Sequence, residues 1–284
     1  MLCRSIANFK ELLKETGYNS FMIDAHCHLN FRDFEKDLEE VINRARERGV
    51  NKIINVGSNL ETSKKAVELA KRFKGLYATV GIHPHHADKL EKNWEEELEE
   101  LTKHPKVVAI GETGLDNFRY QSNGITNSKL QKDLFIKHIE IAHKFNLPLM
   151  IHNRQAGKEI LEIVNFYKKD IAGGLFHCFS GDVGFLKKVL DLGFYIGFDG
   201  NITYKGIAKG ETTSLSDLVK IAPMERIILE TDAPYLSPIP LRGSRNEPVN
   251  VIITAEAIDQ IKNISFSEVK KRTTENSISL FKLK

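Results

Sequence analysis

The feature that most constrains the fold of this chain is an alternation. From Phe21 onward, short runs rich in β-branched and other apolar residues alternate with longer stretches whose apolar residues recur at helical spacing. Eight of the short runs are predicted strands: residues 21–24, 52–56, 76–82, 106–110, 148–152, 172–177, 194–198 and 226–230. Between them Leu38, Val41, Ile42 and Ala45 precede Gly49, Ala66, Val67, Ala70 and Phe73 precede Gly75, and Leu186, Val189 and Leu190 precede Gly193. Those glycines stand where helices stop. The stretch from Val249 onward also has helical spacing. Strands separated by helices pair in parallel through crossover connections. Eight such units in 284 residues predict an α/β chain folded as a closed (β/α)8 TIM barrel, with a doubly wound open sheet as the structural alternative.

On this reading residues 21–284 form a single barrel domain. Residues 1–20 form an extension in which Ile6, Phe9, Leu12 and Leu13 predict a short amphipathic helix ending at Gly17. Residues 117–127, with their Ser, Asn and Gly, predict a long loop after the fourth strand, on the side of a barrel that carries substrate contacts.

Composition narrows the class. An apolar fraction of 41% with 28% charged residues excludes a disordered or fibrous chain. The 41 basic and 38 acidic side chains leave a net charge of +3, which excludes a polybasic mode of nucleic-acid binding but permits a local basic groove. Cys3, Cys27 and Cys178 are odd in number and far apart, so no disulfide framework is implied and a reducing compartment fits. No apolar run approaches the ~18 residues needed to span a bilayer. Lys10, Glu11, Lys14 and Glu15 interrupt the N-terminal stretch, which does not read as a secretory signal. The expectation is a cytoplasmic protein with no membrane contact and no obligate protein partner.

The titratable residues fall on the predicted strand ends. His26 and His28 follow the first strand, His83 and His85 the third, and Glu112 closes the fourth. His152 ends the fifth, His177 the sixth, and Asp232 follows the eighth. In a barrel the C-terminal strand ends converge on one face, so these residues surround one cavity. Neutral imidazole and ionised carboxylate are ligands for divalent metals. Alternate strand residues share a face, so His26 and His28 point together while Cys27 points away. His152, His177 and Asp232 each add a ligand candidate from another strand. Glu112 has two oxygens and can bridge two ions. Other features have blander readings: Lys64-Lys65 and Lys187-Lys188 as solvated faces, Cys178 as a packed thiol, His86 out of phase with its neighbours, and His104, His138 and His143 with no assigned role.

As a set, the following segments carry a resemblance: Ile23-Asp-Ala-His-Cys-His28, Val80-Gly-Ile-His-Pro-His85, Ile110-Gly-Glu-Thr-Gly-Leu-Asp116, Ile151-His-Asn-Arg154, His177-Cys-Phe-Ser-Gly181, Leu229-Glu-Thr-Asp-Ala-Pro-Tyr235 and Arg242-Gly-Ser-Arg-Asn-Glu-Pro248. In this order, from about Phe21 to the C-terminus, the chain resembles the TatD family of metal-dependent deoxyribonucleases among the amidohydrolase-like barrels. The resemblance implies hydrolysis of phosphodiester bonds, usually by removing nucleotides from a 3′ end of single-stranded DNA. It implies His26, His28, Glu112, His152, His177 and Asp232 as metal ligands. His83 and His85 would lie near the site, and Arg154 would point at substrate phosphate. The residues before Phe21 and the loop from Asn117 depart from the family pattern.

The mechanism expected from these parts uses one or two divalent ions, Mg, Mn or Zn, to activate water. Asp232 is the expected proton acceptor and Glu112 the alternative base. Four histidines argue for a borderline ion such as zinc or manganese, whereas the resemblance implies magnesium. Tyr204 and Lys205 after the seventh strand, with Arg242, Arg245 and Asn246 after the eighth, are candidates for the sugar-phosphate backbone, Tyr204 offering a ring for stacking. The competing reading of the segment from Arg242 is a loop that pins the final helices to the barrel, and Asp116 is expected to order the loop after Glu112. Two further functions fit the same barrel. One is hydrolysis of carboxylic esters or amides. The other is a nucleic-acid-binding protein that no longer cuts, which loss of activity with a chelator would exclude.

Overall fold

The computed structural model describes residues 21–119, 126–208 and 210–284. The helix predicted before Phe21 and the middle of the 117–127 loop lie outside these residues. The described chain runs β1 (Met22–Cys27), α1 (Leu38–Glu47), β2 (Val50–Val56), α2 (Leu60–Arg72), β3 (Leu76–Val80), α3 (Trp94–Thr102), β4 (Val107–Asp116), α4 (Ser128–Phe145) and β5 (Leu149–Arg154). It continues with α5 (Gly157–Phe166), β6 (Gly174–Phe176), α6 (Val183–Asp191), β7 (Tyr195–Phe198), α7 (Leu215–Ile221), β8 (Ile227–Leu229), α8 (Val251–Lys262) and α9 (Phe266–Phe281). All eight predicted strands are present and lie side by side in chain order, each parallel to the next.

What separates this sheet from a doubly wound one is the seam between its first and last strands. Cys27 bridges Ala233 in parallel. The Asp232 N–H donates to His26 O at 2.9 Å and the His28 N–H to Ala233 O at 2.7 Å. Below them the Asp24 carboxylate accepts from the Thr231 N–H at 3.0 Å and the Thr231 hydroxyl at 2.6 Å. The barrel is closed, and it closes at its C-terminal rim.

Local chemistry sets the element ends. Gly49 adopts φ 84° directly after the C-cap of α1, the left-handed geometry that glycine supplies without steric cost. Asn59 begins α2 with a reciprocal capping box to Thr62, and Asn127 accepts from the Lys129 and Leu130 N–H groups at the start of α4. Each such cap is worth about 1 kcal/mol. β4 outruns its predicted end at residue 110. Thr113, Gly114, Leu115 and Asp116 continue the ladder against Ile151, His152, Asn153 and Arg154. A Cβ on Gly114 would stand 2.0 Å from His152 O, so the glycine that reads as a strand breaker is what lets the two backbones approach.

Neighbouring strand residues divide between two apolar layers. Leu149, Ile151, Phe176, Ile227 and Leu229 belong to the large layer shared with the helices. Met150, Leu175 and Ile228 belong to a smaller one, completed by Leu280, Phe281 and Leu283 from the C-terminal end. Met150, Leu175 and Ile228 stand two residues before His152, His177 and Glu230, and alternate strand residues share a face. The polar residues of the rim therefore stand on an apolar floor. No helix among the described residues is long and apolar enough to cross a membrane.

Candidate metal centre

Glu112 stands at the middle of the rim, between two groups of side chains. Its Oε2 faces His26 Nε2 at 3.7 Å and His28 Nε2 at 3.8 Å. Its Oε1 faces His177 Nε2 at 2.8 Å, His152 Nδ1 at 2.9 Å and His83 Nε2 at 3.6 Å. In the first lobe the His26 and His28 Nε2 atoms are 3.2 Å apart, and Asp232 Oδ1 lies 3.5 and 3.4 Å from them. In the second lobe His152 Nδ1 is 3.2 Å from His177 Nε2. Potential ligand atoms of His26, His28 and Asp232 lie within 4.8 Å of one another, as do those of His83, Glu112 and His152.

These donors fit divalent cations. Imidazole nitrogens aimed at one point repel when protonated and are mutually compatible as neutral donors around a cation. The residues would hold one ion in each lobe with Glu112 shared, a ligand set of nitrogen and carboxylate oxygen that suits Mn or Zn.

Charge in the site follows the neighbours. Burial would raise the Glu112 carboxyl, but the ring of histidines, His177 first, holds it well below the usual carboxylate range. Burial, followed by the neighbouring His177, pushes His26 well below its ordinary value, so it is held as the neutral ligand form. Burial opposes protonation of His152, yet hydrogen bonds to Asp116 and Glu112 raise it to about 9. Burial also lifts Asp24 to about 8 and Asp199 to about 7, so both hold a proton far more readily than an ordinary carboxylate.

Backbone geometry points the ligands inward. Asp232 sits at φ 53°, a left-handed conformation that costs a non-glycine residue roughly 1–2 kcal/mol. It is held there by its own N–H to His26 O and by the Tyr235 N–H to its carbonyl. The Phe31 ring stacks on His28 with centroids 4.4 Å apart, and His28 Nδ1 donates to Val56 O at 3.0 Å. Cys27 turns the other way into the large apolar layer.

The structure brings together all six expected ligand candidates. His83 borders Glu112 and His152, and His85 Nε2 lies 3.1 Å from Asp116 Oδ2. Arg154 is exposed with its guanidinium 4.1 Å above the Phe118 ring. Arg242 covers the Tyr204 ring at 4.1 Å, the Tyr204 hydroxyl donates to Ser237 O at 2.7 Å, and Lys205 is exposed. Asn246 departs from its expected place among the substrate contacts. It is fully buried, its amide N–H groups donate to Thr231 O and Tyr235 O, and its carbonyl accepts from the Glu247 N–H and the Asn250 side chain. With every polar atom spent inside the loop, none reaches the opening. Arg245 likewise pins the loop through Asp37 and Glu247.

Two residues escaped the sequence reading of the site. Asp116 orders the loop through the Phe118 N–H as expected, and its Oδ2 also meets His152 Nε2 at 3.1 Å. Glu230 lies fully buried beside His26 and His177. Its position at the end of the predicted eighth strand, two residues before Asp232, was the available signal. A separate cleft of about 1070 Å³ between α5 and α6 reaches the rim at Asn153 and Gln155 and holds none of the ligand candidates.

Comparison with known proteins finds relatives along nearly the whole chain. A family model described as TatD related DNase matches residues 23–282. The uncharacterized metal-dependent hydrolase YabD of Bacillus subtilis is 37% identical over 92% of this chain and 99% of its own length. A Shigella flexneri protein named 3′-5′ ssDNA/RNA exonuclease TatD is 32% identical over 81% of this chain and 87% of its own. The crystal structure of YJJV, a TatD homolog from Escherichia coli, superposes with a TM-score of 0.85 at 27% identity, covering 94% of this chain and all of that one.

Proposed function

The chain belongs to the TatD related DNase family of metal-dependent hydrolases, and from that premise we propose that it is an exonuclease shortening single-stranded DNA from the 3′ end. The observation that carries this reading is the division of the Glu112 carboxylate between two lobes of histidine and carboxylate donors, the arrangement that a two-metal phosphodiesterase requires. The name of the Shigella flexneri relative supports the direction of attack and the single-stranded substrate.

His26, His28 and Asp232 would hold one cation, His152 and His177 the other, with Glu112 between them. When bound, the cations supply Lewis acidity, lowering the pKa of water and offsetting charge on the phosphoryl oxygens. Asp232, the more exposed carboxylate of the rim, takes the proton from the attacking water as the bond between phosphorus and the departing sugar oxygen breaks, and passes it to that oxygen. Glu112, enclosed by imidazoles, stays ionised and fixes the spacing of the lobes. Arg154, at the open edge beside β5, meets the phosphate as charge builds on it. Tyr204, Lys205 and Arg242 line the β7–β8 side for the backbone of the strand, with His83 and His85 on the opposite side. Manganese or zinc suits this donor set, and the cytoplasm is the compartment proposed.

The test is time-resolved digestion of a 5′-labelled single-stranded DNA oligonucleotide with Mg, Mn or Zn and with EDTA. The expected result is a ladder shortening from the 3′ end with metal and intact substrate with EDTA. Folded, metal-loaded protein that leaves the oligonucleotide whole while hydrolysing lactones or acyl esters would overturn the nuclease reading in favour of ester or amide hydrolysis.

A further inference from the structure

A histidine that gives one ring nitrogen to a cation carries its remaining proton on the other, and that N–H needs an acceptor. Two of the four candidate ligand histidines have theirs on view. His28 Nδ1 meets Val56 O, and His152 Nε2 meets Asp116 Oδ2. Among the described residues, His26 Nδ1 and His177 Nδ1 are buried with no hydrogen-bond partner, and so is Glu230 Oε2. One nitrogen from each of these two rings and one Glu230 oxygen nevertheless lie within 4.8 Å of one another.

The surroundings of Glu230 look built for this meeting. Its carboxylate lies against Gly197 of β7, where a Cβ would stand 2.6 Å from the carboxylate atoms. Its Oε1 accepts the Cys178 N–H, which leaves Oε2 as the atom turned to the rings. The His26 and His177 rings stack with centroids 4.0 Å apart and planes 15° from parallel, so their edges run side by side. Their Nε2 edges face opposite oxygens of Glu112. The other edges, carrying Nδ1, are those left for Glu230.

We propose that Glu230 is a positioning residue that couples the two lobes, its Oε2 accepting the Nδ1–H of both His26 and His177. This inference rests on the two-lobed metal centre proposed above and deepens it. Asp116 backs one ligand of one lobe, whereas Glu230 backs one ligand of each. The two cation sites therefore share a support on the buried side, as they share Glu112 on the open side. A glutamine cannot replace Glu230 in this role. Its amide NH2 must face either the Cys178 N–H or the two ring N–H groups, donor against donor.

Co2+ alone, titrated into the metal-free wild-type protein and into the E230Q and D116N variants by calorimetry and by the cobalt absorption bands, tests the coupling. The wild type is expected to bind two ions. E230Q is expected to weaken both steps together, each by about 10-fold or more, and D116N to weaken one. E230Q binding both ions with wild-type affinity, or losing one step alone, would overturn the coupling while leaving the metal centre standing. Wild-type protein that binds fewer than two ions would overturn both. Should E230Q fail to fold, as judged by circular dichroism without metal, the wild type labelled with 15N-histidine and loaded with Zn2+ gives the answer. His26 and His177 must both be Nδ1–H tautomers with slowly exchanging protons. A bare Nδ1 or a fast-exchanging proton on either ring would overturn the proposal.

Discussion

His138 in α4 and His152 in β5 are two histidines of the same barrel, and burial pushes both toward the neutral form. They end far apart. His138 falls to about 4, whereas His152 rises to about 9. The difference lies in the partners. His138 Nδ1 donates to Leu134 O at 2.8 Å and its Nε2 accepts the Ile82 N–H at 3.0 Å, so both nitrogens are spent on backbone. His152 turns one nitrogen to Glu112 and the other to Asp116. A buried histidine with two backbone partners is a brace, and one set between carboxylates is equipped to hold or exchange charge. The position of a histidine in the sequence does not reveal which it is; its acceptors do.

The largest effect expected on the carboxylate side of this contrast comes from Asp232→Asn. Turnover should fall on the order of 10²–10⁴-fold with the circular dichroism spectrum unchanged, as befits loss of the proton acceptor. Wild-type turnover in that variant would remove Asp232 from the mechanism.

On the brace side, the effect is on stability and on pH. The folded-state pKa of His138 is depressed, so its contribution is fully present above the unfolded value near 6.5 and is lost as pH falls toward 4. Over that window about 3 kcal/mol should disappear, because the unfolded chain takes up the proton that burial keeps off folded His138. Urea unfolding of wild type and His138→Gln in EDTA, compared between pH 7 and pH 4.5, measures it. The variant should show the flatter dependence, and parallel curves would contradict the assignment.

Smaller effects separate loop from rim. Asn246→Ala should cost about 2 kcal/mol in unfolding, since it orphans buried backbone carbonyls of the β8 loop. Arg154→Ala should instead raise KM for an oligonucleotide several-fold, about 1 kcal/mol in transition-state terms, and act less on stability. An Asn246→Ala variant that loses substrate affinity but not stability would restore it to the rim.

Much of this was legible from residue order. The HxH pair at His26 and His28 could be placed on one face because the strand period is two, and Glu112, His152, His177 and Asp232 because each falls at or just past the end of a predicted strand. What stayed hidden depended on contacts between segments. The continuation of β4 to Asp116 is carried by its pairing with β5, and the glycines that allow it look like breakers when seen alone. Asp116 therefore read as a loop residue and not as the support of His152. Asn246 looked available because an amide in a polar loop has no visible partners until Thr231, Tyr235 and Asn250 fold around it.

The closing seam has a consequence for the life of the molecule on the ribosome. Asp24 and Thr231, which meet beneath the rim, are 207 positions apart in the chain. Asp232 enters the site on the same return stroke. A nascent chain still lacking β8 has the histidines of the early strands but neither the seam that gathers them nor the carboxylate opposite them. A product that terminates before β8 therefore has neither the seam nor Asp232, the carboxylate proposed to take the proton.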